Sequence, residues 1–148
     1  MEGLSATEQA DLARLAGIMI PADAGLGAPG GDDPAILADL LASLGRDGPA
    51  IAAALHTLAA AAGGPFTTLP APAAEALAMR LLAQPDADFL ALGRVLLGAY
   101  YRDDRVLRRI GREPRAPFPK GHELPAGDWS LLEVVKQRAP FWRDDRRA

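Results

Sequence analysis

The chain has 148 residues, 49% of them hydrophobic and 24% charged, with a formal net charge of −3. This length suits one globular domain with its own hydrophobic core, and the composition is ordinary for a folded protein. The absence of cysteine excludes disulfides, thiolate metal sites, iron–sulfur clusters and cysteine nucleophiles.

The starts of the first two helices are predicted by N-cap residues. Ser5 and Glu8 have the spacing of a capping box, and Pro21 closes the helix that follows. Asp33 and Pro34 form an N-cap followed by a proline at the first helical position, where its missing N–H costs nothing. We therefore expect helices to begin at both places.

Four further helices follow in chain order. One starts at 47–49 and stops at 63–64, a second opens at Pro72, a third covers 87–101, and a short one covers 105–110. Apolar residues at helical spacing predict the buried faces of the helices: Leu12, Leu15, Ala16, Met19, Ile36, Leu37, Leu40, Leu41, Leu44, Ile51, Leu55, Leu58, Ala59, Leu77, Met79, Leu81, Phe89, Leu92, Val95, Leu96, Ala99 and Tyr100.

The last part of the chain is irregular. Residues 112–128 show no helix or strand pattern, and this segment is long for a connection inside a compact domain. A final helix is predicted from Trp129 to about 138, followed by an aromatic tail over 139–148. The prediction is an all-α fold over 1–148: a single bundle of about six to seven short helices with a long proline-rich loop and a tail.

Aromatic and basic residues are concentrated at this end. Residues 100–148 hold six of the eight aromatic residues and twelve of the sixteen Lys and Arg residues. Their formal charge is +4, against −7 for residues 1–99. Aromatic and Arg side chains are enriched at protein interfaces, which favours a binding protein. The alternative is that Trp129, Phe141 and Trp142 fold back and fill gaps in a small core.

Residues that could carry chemistry are sparse. His56 and His122 each lack a second histidine or a carboxylate at metal-ligand spacing. The acidic pairs 32–33 and 103–104 precede helix starts, where capping explains them. The arginines of 102–112 alternate with acidic residues, and the isoelectric point is 5.3, which disfavours nucleic-acid binding. We predict no catalytic, cofactor-binding or metal-binding residue in this chain.

The N-terminal residues MEGLSATEQADL lack the basic and apolar regions of a secretory signal. No run reaches the roughly 18 apolar residues of a transmembrane helix. These patterns predict that the protein has no transmembrane helix. They place it in the cytoplasm, or in the periplasm if the sequence is a processed or trimmed form.

Three segments, taken in order, resemble a known family. They are LSATEQADLARLAGIMIPAD (4–23), GAYYRDDRVLRRIG (98–111) and GDWSLLEVVKQRAPFWRD (127–144). Together they resemble the gluconate 2-dehydrogenase subunit 3 family, the small subunits of flavoprotein dehydrogenase complexes. Many members begin with a twin-arginine export signal, a pattern that the first residues of this sequence do not show.

The resemblance implies a non-catalytic small subunit in a hetero-oligomer. Its partner would be a large FAD-containing oxidoreductase of the glucose-methanol-choline type that oxidises sugars, other alcohols or glycosides and can pass electrons to a cytochrome. FAD would be bound by that partner and not by this chain. The predicted partner contacts are Tyr100, Tyr101, Arg105, Phe118, Trp129, Phe141 and Trp142.

Two other functions remain open at this point. The chain could be a stand-alone helical interaction domain that forms a homodimer through the same aromatic residues. It could also be an enzyme that uses His56 or His122, in which case the purified chain would turn over a substrate.

Overall fold

The computed structural model describes residues 3–114 and 126–139. The chain divides into two units, Met1–Pro114 and Arg115–Ala148, and the boundary lies within the loop predicted over 112–128. The described residues form seven α-helices and no strand, apart from one isolated bridge between Asp23 and Ala28. The predicted all-α fold is confirmed.

The first unit contains six α-helices. They are α1 (Ala6–Met19), α2 (Pro34–Ala42), α3 (Gly48–Ala62), α4 (Ala71–Ala83), α5 (Ala87–Tyr100) and α6 (Asp104–Arg109). Two 3₁₀ turns lie between them, at Gly45–Asp47 and Phe66–Thr68. The second unit has a 3₁₀ turn at Trp129–Leu132 that runs into the one-turn helix α7 (Glu133–Lys136).

Side-chain caps fix where the helices begin. Ser5 and Glu8 form the predicted capping box, in which the Glu8 carboxylate accepts a 2.7 Å hydrogen bond from the Ser5 N–H. Asp33 accepts from the N–H of Ala35 at 3.0 Å, and Asp103 accepts from the N–H of Arg105 at 2.8 Å. One residue of each acidic pair, Asp33 and Asp103, therefore acts as the predicted cap, because a carboxylate satisfies the free N–H groups of a first turn.

The core is built around α5, which packs mainly against α3 and α2. One face of α5 is buried along its whole length, from Phe89 to Tyr100. Most of the predicted core positions are buried, and α3 and α4 add the small residues Ala54, Ala74 and Ala78. Small residues on facing helices let the backbones approach closely, and the sequence periodicity did not single them out.

Met79 was placed in the core by the sequence analysis, and this was wrong, because its side chain is 64% exposed. The buried positions of α4 are Ala74, Leu77 and Ala78, with Leu81 partly buried. They recur at the spacing i, i+3, i+4 and i+7 that defines one helix face, and Met79 falls outside it.

Helix α1 is tied to the connection between α3 and α4 by two charged side chains. The buried Asp11 accepts a 2.8 Å hydrogen bond from the N–H of Thr67. Arg14 donates to the carbonyls of Phe66 and Leu69 at 2.9 and 2.6 Å, and its guanidinium lies over the Phe66 ring. The backbone polar groups around a completely buried Phe66 are thereby satisfied.

One helical stretch, Gly45–Thr68, has the length and composition to cross a membrane, with a mean hydropathy of 1.2 in its most apolar window. The sequence of this stretch shows no uninterrupted apolar run of that length, since Arg46, Asp47 and His56 interrupt it. The core helix of a globular protein passes the same test. Within this stretch α3 packs against α1, α4 and α5, and 28% of the most apolar window is buried.

We predict that Asp11→Ala lowers the free energy of unfolding by about 1–3 kcal/mol, because it removes a part-buried hydrogen bond between the Thr67 N–H and a buried carboxylate. Urea or thermal unfolding measures the loss. Asp11→Asn, which keeps a side-chain oxygen, should lose less. Glu75→Ala, at an exposed site on α4, is the control and should stay within about 0.5 kcal/mol. Equal stability of Asp11→Ala and the control would contradict the prediction.

Candidate interaction surface

The paired tyrosines at the end of α5 have different environments. Tyr100 is 8% exposed, and its hydroxyl donates to the carbonyl of Pro29 at 3.1 Å. Burial raises the pKa of Tyr100, so the phenol keeps the proton that it donates. Tyr101 is 51% exposed and meets Tyr100 edge-on, with ring centroids 5.4 Å apart. Of the two predicted contacts, Tyr101 is available to a partner, and Tyr100 holds the loop after α1.

Arg105, a predicted partner contact, is engaged within its own unit. Its guanidinium donates to both carboxylate oxygens of Asp33, at 2.7 and 3.0 Å, and to both of Asp103, at 2.9 and 3.0 Å. These hydrogen bonds are the main cause of the lowered pKa of each carboxyl group and of the raised pKa of Arg105. Since Asp33 and Asp103 cap α2 and α6, Arg105 joins the starts of two helices.

The loop after α1 forms a tight turn against α6. Asp23 and Ala28 exchange backbone hydrogen bonds at 2.9 and 3.1 Å, and Gly27 has a positive φ of 59°. A Cβ atom on Gly27 would lie 2.8 Å from Nη2 of Arg109. Glycine is therefore favoured here by the turn conformation, and its missing Cβ leaves room for the end of the Arg109 side chain.

These contacts bring together two segments that are far apart in sequence, residues 20–33 and residues 100–110. Three large apolar side chains are exposed there: Leu26, Tyr101 and Ile110. With Arg109 they define the loop–α6 surface, a name used below for these four residues. Exposed apolar side chains and arginines are both typical of protein contact sites.

A second apolar surface lies in the other unit, in residues 126–139, called the Trp129 segment below. Asp128 caps it by accepting from the N–H and hydroxyl of Ser130 at 3.0 and 2.6 Å, and Lys136 pairs with Glu133 at 2.6 Å. Every residue of the segment is exposed, and Trp129 is 73% exposed. Its exposed large apolar side chains are Trp129, Leu131, Leu132, Val134 and Val135.

The helical part of the Trp129 segment ends at Lys136, about two residues earlier than predicted, and begins as a 3₁₀ turn. The predicted contacts Phe118, Phe141 and Trp142, and His122 with them, lie outside the described residues. Of the seven predicted contacts, the structure thus describes four, and in each unit one of these has an exposed aromatic side chain: Tyr101 and Trp129.

His56 has a partner that sequence spacing did not reveal. Its Nε2 lies 3.0 Å from a carboxylate oxygen of Glu8, on the facing helix α1. The other oxygen of Glu8 accepts from the Ser5 hydroxyl at 2.6 Å. The carboxylate thus lies between hydroxyl and imidazole, whereas a catalytic triad needs the imidazole to accept the proton of the hydroxyl. The arrangement is a helix cap whose carboxylate also contacts a histidine.

An open cleft of about 540 Å³ lies beside this cap, between the start of α1 and the 3₁₀ turn before α3. Its lining is mostly apolar and small, with Leu4, Leu41, Leu44, Pro49 and Ala52. Its one ionisable lining residue, Glu8, is already bonded to Ser5 and His56. Ligand pockets combine apolar walls with several convergent polar groups, and this cleft lacks the second element.

Among residues 3–114 and 126–139, no group of three or more histidine and carboxylate side chains could hold a metal ion. Many polar side chains of these residues cap helices or join them. Several large apolar side chains, in contrast, remain exposed and are not packed against the core. Comparison of the chain with protein-family models, with curated proteins and with solved structures gave no match.

We predict that Arg105→Ala lowers the free energy of unfolding by about 1 kcal/mol at neutral pH, a value reduced for the partial exposure of the guanidinium. The loss should depend on pH. Above the ordinary carboxyl pKa of 3.8, Asp33 and Asp103 are ionised in both states, and Arg105 stabilises the fold fully. As the pH falls from 3.8 through the lowered folded pKa values, the contribution disappears.

Urea unfolding of both proteins from pH 7 to pH 2.5 measures this difference. Arg80→Ala, at an exposed position of α4, serves as the control for loss of one positive charge. The proposed linkage would be contradicted if the loss of unfolding free energy in Arg105→Ala stayed constant down to pH 2.5. It would also be contradicted if that loss equalled the loss in Arg80→Ala at every pH.

Proposed function

We propose that this chain is a non-catalytic accessory subunit that binds and stabilises a larger FAD-dependent oxidoreductase of the glucose-methanol-choline type. The partner would oxidise alcohol groups of sugars, other alcohols or glycosides and would carry the flavin. The observation that carries the proposal is the Trp129 segment, which exposes a tryptophan and four aliphatic side chains within seven residues.

The Trp129 segment has the properties of a docking element. Its helical part covers eight residues, Trp129 to Lys136, and isolated helices shorter than about 12 residues are marginal in water. The cap at Asp128 and the ion pair between Glu133 and Lys136 favour the helical conformation before any partner arrives. Burial of one large apolar side chain contributes about 1.5–3 kcal/mol, so a partner surface would supply the missing stabilisation.

The nature of the partner rests on the sequence resemblance. Three segments carry the resemblance: 4–23, 98–111 and 127–144. Each of them contains or adjoins residues of the loop–α6 surface or of the Trp129 segment. Residues 20–23 lead into the turn under Arg109, residues 98–111 contain Tyr101 and α6, and residues 127–144 begin with the Trp129 segment. A shared partner-binding role would account for this coincidence.

A second candidate is self-association through the same exposed side chains. Trp129 and Tyr101 could equally be covered by another copy of this chain, which would make the protein a homodimer without an enzyme partner. This candidate predicts a mass that depends on concentration in light scattering of the purified chain, and no need for a second polypeptide.

We predict that the tagged chain, purified gently from its native host, brings with it a large polypeptide with a flavin absorption spectrum. Trp129→Ala should weaken this complex by about 2 kcal/mol, or roughly thirtyfold, as truncation of a central interface tryptophan does. The ratio of flavin to tagged chain in the eluate, measured after increasing wash times, reports the change.

Gln137→Ala is the matched control, because Gln137 is an exposed polar residue of the same segment. It should retain the flavoprotein as the wild type does. A colourless chain purified alone would refute the proposed function, and a mass that rose with concentration would then favour the homodimer. Equal retention by Trp129→Ala and Gln137→Ala would refute the role of the Trp129 segment.

A further inference from the structure

We propose that the outward face of α5 binds the same face of a second copy of this chain, with the two α5 helices antiparallel. The residues of this face are called the outer stripe below: Leu90, Arg94, Leu97, Gly98 and Tyr101. The proposal goes beyond the proposed function, because the contact needs neither the flavoprotein nor the Trp129 segment.

The first observation is that α5 is apolar on all sides. Asp88 and Arg94 are the only charged residues among its 14. A helix on a protein surface normally has polar residues on its outer face, and a helix that is apolar all round is buried. The core covers one face of α5, and on the other face Leu90 is 59% and Leu97 is 44% exposed. The part of the first unit that the structure describes therefore leaves the outer stripe uncovered.

The residues of the outer stripe lie on one side of the helix. Leu90, Arg94, Leu97 and Tyr101 follow one another at the spacing i, i+4, i+7 and i+11. The N–H of Tyr101 donates to the carbonyl of Leu97 at 2.9 Å, so the helical path continues through Tyr101. Arg94, the one charged residue of the stripe, donates to both carboxylate oxygens of Asp47 at 2.9 and 3.4 Å. Its charge is thus offset within the first unit.

The second observation is a glycine that the fold does not require. Gly98 has no positive φ, and a Cβ atom there would meet no atom of residues 3–114 within 4 Å. Glycine inside a helix is destabilising relative to alanine, because it loses more backbone freedom on folding. Gly98 therefore weakens α5 without relieving any crowding in the free chain. What it provides is room on the outer stripe for a side chain of another molecule.

The third observation identifies that molecule as a second copy. In an antiparallel pair of identical helices related by a two-fold axis, residues at equal distances on either side of the axis lie opposite each other. With the axis at Arg94, each large residue of one copy meets a small residue of the other: Leu90 meets Gly98, Leu97 meets Ala91, and Tyr101 meets Ala87. Large side chains opposite small ones let two helices interdigitate closely. The outer stripe is thus complementary in size to itself.

The fourth observation is the charge at the two ends of the pair. The same axis places Asp86 of each copy opposite Arg102 of the other. Both residues are exposed, and Arg102 keeps 53% of its side chain exposed although it is hydrogen-bonded to Asp39. Opposite charges therefore meet at both ends of the antiparallel pair, whereas a parallel pair would bring like charges together. Charge complementarity of this kind fixes the orientation of an interface.

The test measures the mass of the purified chain by sedimentation equilibrium. The contact covers about four turns of one helix, which is small for a protein interface, so we expect a weak dimer. The mass should rise from that of one chain to that of two between about 1 and 500 μM. The mass of one chain throughout this range would overturn the inference. So would a dimer that Trp129→Ala abolished, since it would form through the Trp129 segment.

Two substitutions test the pairing of Leu90 with Gly98. Gly98→Leu should raise the melting temperature of the free chain, since leucine is the better helix former and has space there. The same change should raise the Kd of the dimer about tenfold, because the added side chain meets Leu90 of the second copy. Leu90→Ala alone should also weaken the dimer, through the loss of its own contact.

The double variant Leu90→Ala with Gly98→Leu exchanges the large and the small residue across the axis. Its Kd should return to within about threefold of the wild-type value. Met79→Ala, which removes an exposed apolar side chain of α4, is the matched control and should leave the Kd unchanged. The inference would be overturned by a double variant that dimerised no better than Gly98→Leu alone, or by a Gly98→Leu variant that dimerised as the wild type does.

The outcomes separate this inference from the proposed function. Gly98→Leu should retain the flavoprotein as the wild type does. Loss of the flavoprotein from Gly98→Leu, with a wild-type chain that stays monomeric, would mean that the flavoprotein covers the outer stripe, and it would overturn the inference. A chain that purified without any flavoprotein and dimerised through the outer stripe would refute the proposed function and support this inference.

Discussion

The packing of α5 against α3 and α2 is the constraint on which the rest of the first unit depends. This packing buries one face of α5 from Phe89 to Tyr100, so the position of the C-terminal end of α5 is fixed by the core. There the Tyr100 hydroxyl holds the loop after α1 through the carbonyl of Pro29, and α6 begins four residues later. The loop–α6 surface is therefore positioned by the core and not by the loop alone.

Charged residues in this unit serve mainly to join elements. Asp11 and Arg14 hold α1 to the turn at Phe66, and Arg105 links the caps of α2 and α6. Pairs at partly exposed sites stabilise modestly, by about 1 kcal/mol each, and their larger effect is to fix geometry. Against this background the exposed apolar side chains of Leu26, Tyr101 and Ile110 are the feature of this unit that is typical of a contact surface.

Local chemistry made the fold predictable. Ser5 with Glu8, Asp33 with Pro34, and Asp103 specify helix starts within a few residues, and apolar spacing specified most of the core. Contacts between distant residues were not predictable: Glu8 with His56, Asp11 with Thr67, and Arg109 with Gly27 depend on how helices pack. For the same reason the sequence did not reveal that Tyr100 and Arg105, predicted as partner contacts, are hydrogen-bonded within the first unit.

Hydrogen exchange of the free chain and of its complex tests the central claim most directly, because it reads the backbone of both surfaces in one measurement. The account predicts that amides of residues 129–137 exchange rapidly in the free chain and become strongly protected in the flavoprotein complex, with smaller protection at 24–28 and 107–111. Unchanged exchange at 129–137 in a complex that contains the flavoprotein would contradict it, since the most exposed apolar segment of the described chain would then not be what the partner covers.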